Sequence, residues 1–132
     1  MKSNFMLHVL NQLTVMEKFM LIFHSPYSQE TAFAQQSPEE MQAEIQKWNH
    51  WIGGIAAQGK MVGTEALLPV GRIVSKGGQL ITDGPYTEGK EIVGGYAIVS
   101  ADSLDEAAQL GHGCPILDGA GLLEIRPIMK FD

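Results

Sequence analysis

Lys18-Phe19-Met20-Leu21-Ile22-Phe23-His24 is a nearly unbroken apolar run closed by Ser25-Pro26, and it limits the architectures open to this chain more than any other stretch. A segment so short and so apolar suits a strand covered on both faces. Alternation puts Met20, Ile22 and His24 on one face and Phe19, Leu21 and Phe23 on the other, so each face needs its own cover. At 132 residues the chain is the size of one domain that can bury a core without staples, and the run is read as the central strand of that core.

The elements that follow supply the cover. A polar connection is read over residues 25–36. Ser37-Pro38-Glu39-Glu40 then opens a helix with a cap, a proline at the first helical position and a capping-box glutamate. Met41, Ile45, Trp48, Ile52 and Ile55 make its apolar stripe, and Gly59 stops it, which predicts a helix over about 38–58. Gly53-Gly54 inside that helix implies close packing against it, and Trp51, off the main stripe, either shields a core edge or lines a cleft. Met61 to Leu67 is a strand. Arg72 to Thr82, turning at Gly77-Gly78, is a small inserted hairpin. Ile92 to Ser100 is a further strand, and Ser103 with Glu106 caps a short helix whose inner face is Leu104, Ala107, Ala108 and Gly111. Leu122 to Lys130 alternates apolar with charged residues, and Pro127 places that last strand at an edge.

Strand, helix, strand, hairpin, strand, helix, strand is the split β-α-β order of an α+β, ferredoxin-like plait with an inserted β-hairpin. Its helices cover one sheet face. Met20 and Ile22 on the other face are too apolar to leave in water, so two copies are expected to pair through the sheet. Met16 opens a stretch that reads as a natural start, which divides the chain into an extension over residues 1–16 and a domain over 17–132.

Charge and composition remove several classes of function. The net charge is −6, and the nine basic residues are scattered, so no stripe could neutralise a run of phosphates and no nucleic-acid partner is expected. The apolar patch within residues 1–15 is shorter than the roughly 20 residues that span a bilayer, and Asn11 and Gln12 interrupt it as a signal segment, so no membrane association is expected. The single cysteine, Cys114, allows no internal disulfide and suits a reducing cytoplasm. It reads as a small apolar core residue. His8, His24, His50 and His112 have no paired ligand spacing, so no metal is expected. Gly94-Gly95 opens a strand and not a helix, which removes a phosphate loop and leaves no expected cofactor.

Asp83-Gly84-Pro85-Tyr86, the Gly94-Gly95-Tyr96 that follows, the Asp102-Ser103-Leu104-Asp105-Glu106-Ala107 helix entry and the closing Glu124-Ile125-Arg126-Pro127 together resemble the DGPF group of the YCII-related proteins, over about residues 17–131. The resemblance implies a dimeric α/β barrel built from ferredoxin-like protomers, an architecture shared with muconolactone isomerases and cofactor-free monooxygenases. It implies no particular activity. Some YCII-like proteins carry a His/Asp pair in a cleft. By register the helical His of that pair falls near Trp48, with His50 displaced by two positions to another helix face. Tyr86 stands where the motif has Phe. Genes of the DGPF group often neighbour alternative sigma-factor genes, which implies a regulatory alternative.

The residues expected to carry function follow from these placements. With the usual strand order, His24, Tyr96, Glu124 and Arg126 approach one another on the open sheet face, where Arg126 either steadies an anion or pairs with Glu124. Asp83 either ties down its turn through backbone amides or acts as a general base. His24 is either a second candidate base or a polar rim residue. Tyr86, Trp48 and Trp51 complete the expected ligand contacts. The expected function is the binding of a small carboxylate or phenol, with cofactor-free acid/base chemistry as its extension. The alternative is a protein-interaction module docking through Trp51 and the hairpin.

Overall fold

The computed structural model describes residues 17–131. The expected extension over residues 1–16, and residue 132, lie outside the described residues. Four strands form one antiparallel sheet: β1 (Glu17–Pro26), β2 (Met61–Ala66), β5 (Glu91–Ala101) and β6 (Leu122–Pro127), in the order β2-β5-β1-β6. Strands β3 (Gly71–Ser75) and β4 (Leu80–Gly84) form a separate two-stranded hairpin, joined by a 3-10 turn over Lys76–Gly78. The helices are α1 (Tyr27–Phe33), α2 (Pro38–Ala56) and α3 (Leu104–Gln109). Together they make an α+β ferredoxin-like plait with an inserted hairpin.

β1 takes the central position because it is the strand apolar on both faces. Phe19 and Leu21 are completely buried and Phe23 nearly so, while Met20, Ile22 and His24 are only half-buried. On β5, Ala97, Val99 and Ala101 are fully buried beside them. Trp51 and Ile55 from α2, Ala107, Cys114 and Ile116 close the core. Burial pushes the Cys114 thiol up to about 11, which leaves it the inert apolar residue expected from its place after a helix. The edge strands are β2 and β6, and Pro127 closes the outer one.

The helix starts follow their local chemistry. Ser37 Oγ accepts from Glu40 N at 3.1 Å and Glu40 Oε1 accepts from Ser37 N at 3.3 Å, a complete capping box. Ser103 Oγ accepts from Glu106 N at 3.0 Å, and the Glu106 carboxylate also receives Lys60 Nζ at 2.6 Å, joining α3 to the segment before β2.

Three local expectations are corrected. Residues 27–33 are helical, not a polar connection. A helix of seven residues without a side-chain cap cannot hold itself, and it forms where Tyr27 N donates to Lys90 O at 2.8 Å and ties the turn to β5. A Cβ added at Gly53 or Gly54 would meet nothing within 4 Å, so no close packing accounts for that pair. On α3, Leu104 and Ala108 are exposed, and Leu110 joins Ala107 on the inner side.

Candidate functional site

Burial along α2 falls from Ile55 to Ile45: Ile55 and Trp51 are buried, Ile52 and Trp48 half-buried, and Ile45 is 42 % exposed. The apolar stripe therefore leaves the core in the N-terminal half of the helix. Its uncovered part faces a cleft of about 700 Å³, floored by Phe23, Thr64 and Gly94 and walled by α1, residues 66–69 and the 3-10 turn at Pro115–Asp118. Phe23, Trp48 and Trp51 form an aromatic cluster at its base, with ring centroids 5.0 to 6.0 Å apart. Trp51 is held by Nε1 donating to Leu110 O at 3.0 Å, which leaves Trp48 as the ring presented to the cleft.

The polar groups of the cleft are placed by α1 and by the glycine pair of β5. The Glu30 carboxylate lies directly over the Cα of Gly94, in space that any side chain at position 94 would occupy. Gly94 is the residue left out where β5 changes register against β1, next to Gly95 at φ 155°. Burial raises the Glu30 pKa above the usual carboxylate value, and the neighbouring Ser25 hydroxyl offsets this only in part. Ser25 Oγ and Gln36 Oε1 are buried, and Gln36 Oε1 has no hydrogen-bond partner among the described residues. Four carboxylates line the cleft, those of Glu30, Glu44, Glu65 and Asp118, with no Lys, Arg or His among the described lining residues.

The raised Glu30 pKa gives a signed expectation for stability. The folded state holds the Glu30 proton more tightly than the unfolded state does. Its stabilising contribution is therefore fully present below the unfolded carboxylate pKa and is lost as pH rises through the folded one. Glu30→Gln removes that loss. The variant is expected to be at least as stable as the parent at pH 7, with a flatter decline between mildly acidic and neutral pH in urea titrations. A clear loss of stability at pH 7 would mean that the carboxylate has a structural partner.

The residues singled out from the sequence divide among three places. His24 and Glu124 meet on the open sheet face, Nε2 to Oε1 at 2.9 Å. Tyr96 and Glu124 flank Ile22 in one cross-strand row, while Arg126 lies beside Met20 in the next and has no ion-pair partner among the described residues. These four share the face but make one contact. Asp83 stands on the hairpin, 93 % exposed at its side chain, with Arg72 Nη1 at 3.3 Å from Oδ1; Tyr86 is 75 % exposed in the loop beyond. Neither lines the cleft. Trp48 lines it, and Trp51 packs beneath it. His50 borders a shallow separate depression on the outer side of α2.

Glu30 and Gln36 were not anticipated because they fall in the segment read as a polar connection. One signal pointed to them. Glycine inside a strand marks a place where something approaches the backbone closely, and Gly94-Gly95 sits inside β5.

The family model for the YCII-related domain matches residues 16–132. No curated protein matches the chain.

Proposed function

The chain belongs to the YCII-related family, and from that premise we propose that it is a small-ligand-binding protein of the DGPF group whose ligand occupies the cleft between α1, α2 and the sheet. The observation that carries this reading is the open, mainly apolar space of about 700 Å³, within the range of small-molecule sites, into which Trp48 and Ile45 are left uncovered. An apolar stripe that could have been buried by sheet or loop is kept accessible. Cofactor-free acid/base chemistry on the bound molecule is the activity that such a cleft with a half-buried carboxyl supports. The cytoplasm is the compartment we assign, since Cys114 is buried and no disulfide is available.

The test is a thermal-shift screen of small phenols, lactones and carboxylates, with Trp48→Ala beside the parent protein. A ligand at about a hundred times its dissociation constant adds about 2.7 kcal/mol, and that rise should vanish in the variant. A broad screen without a hit would shift the weight to a regulatory module linked to sigma-factor control. That second reading draws on the hairpin, which pairs only with itself and leaves Val74 61 % and Ile81 64 % exposed.

We also assign the open sheet face to a second copy of the chain, giving a dimeric α/β barrel. Met20, Ile22 and Ile98 form its apolar centre, with Arg126 and the His24–Glu124 pair around them. The parent protein is expected to run as a homodimer in light scattering, and Ile22→Asp as a monomer. A monomeric parent would remove the barrel.

A further inference from the structure

The cleft has a polar end that its apolar walls do not require. Gly94 interrupts a strand at a cost in strand propensity, and the space it leaves is filled by the Glu30 carboxyl. That carboxyl makes no ion pair among the described residues, and its polar neighbour is the Ser25 hydroxyl. Gln36 lines the same cleft, and its amide oxygen is buried without a hydrogen-bond partner among the described residues. An acceptor left unmet in this way costs free energy until a donor arrives. Two acceptors thus belong to residues lining a cleft whose floor and wall are the rings of Phe23 and Trp48.

Charge narrows what can fill it. Every ionisable side chain lining the cleft among the described residues is a carboxylate, so an anion would enter against repulsion and find no cation to meet it. Resting on the reading of this cleft as the ligand site, we infer that it binds a neutral aromatic molecule through a ring hydroxyl, which donates to Glu30 or Gln36 while the ring packs on Trp48 and Phe23. This favours the phenolic over the carboxylate ligand. It also places the ligand's polar group on Glu30 and Gln36, away from Asp83 and from the open-face cluster.

Three probes of one shape test this by calorimetric titration at pH 7: 2-naphthol, 2-methoxynaphthalene, which keeps the ring and oxygen but cannot donate, and 2-naphthoate, which is anionic. The parent protein is expected to bind 2-naphthol at least about tenfold more tightly than either of the others, because a site built around acceptors penalises a ligand without a donor. Glu30→Ala and Gln36→Leu should each weaken 2-naphthol severalfold without weakening 2-methoxynaphthalene, whose retained binding is the check that the cleft is intact. Binding of 2-naphthoate or 2-methoxynaphthalene as tight as that of 2-naphthol overturns the inference while leaving the cleft a ligand site. So does 2-naphthol binding that neither variant affects. Failure of all three probes to bind the parent protein removes the ligand site itself. The comparison of probes on the parent protein stands even if a variant does not fold.

Discussion

Phe19→Ala is expected to remove about 3–5 kcal/mol of stability, enough to lower the melting temperature by roughly 10–20 °C in a chain of this size. The side chain is completely buried on the central strand, with Val99 as its cross-strand neighbour on β5 and Pro127 on β6. Truncation leaves a cavity that two hydrogen-bonded neighbours prevent from closing. Against a typical total of about 5–15 kcal/mol, the loss is a large fraction of what holds the domain together. Met20→Ala, one residue along and on the opposite, half-buried face, should cost far less within a single copy of the chain and, if the proposed dimer forms, act mainly on association. Urea titrations at several protein concentrations separate the two, because only a loss of association depends on concentration. Equal losses for both variants would mean that the two faces of β1 are covered alike.

Gly95→Ala is expected to cost about 2–4 kcal/mol, a large effect for the addition of one methyl group. At φ 155° the residue occupies a conformation that side chains rarely adopt, and the new Cβ would sit 2.5 Å from Glu65 O, 3.1 Å from the Ala66 Cα and 3.2 Å from the Phe23 ring. Two of those neighbours are backbone of β2, and they cannot retreat without breaking the pairing of Glu65 with Tyr96 and Ala66 with Gly95. Phe23 is also the cleft floor, so the strain extends into the cleft. Gly94→Ala provides the contrast. There the obstacle is the end of the flexible Glu30 side chain, which can swing away at little cost to the fold while losing its place in the cleft. Urea titration of both variants decides the matter, and a Gly95→Ala protein within 0.5 kcal/mol of the parent would show that β2 yields freely.

The candidate site was less legible than the fold because its parts are carried by weak local signals. The stripe Ile45-Trp48-Ile52 reads as core from its spacing, and only its position relative to α1 and residues 66–69 leaves half of it facing a cleft. Glu30 lies on a seven-residue helix with no cap and no buried residue, so neither periodicity nor capping announces it. Asp83 and Tyr86 drew attention because their motif is distinctive in sequence. Their side chains lie in solvent on the hairpin, where Asp83 meets Arg72 across the strand pair.

The sequence alone determined the architecture of this protein: a strand apolar on both faces must be central, the capping box at Ser37 must start a helix, and Pro127 must lie at an edge. Each of these follows from interactions within a few residues or from the alternation of one strand. Tertiary structure alone decided where the cleft lies, which of Trp48 and Trp51 faces it, and that Glu30 occupies the space above Gly94. Those outcomes depend on how far α2 stands from the sheet and on where α1 docks, and both are set by contacts between residues distant in the chain, which no local pattern records.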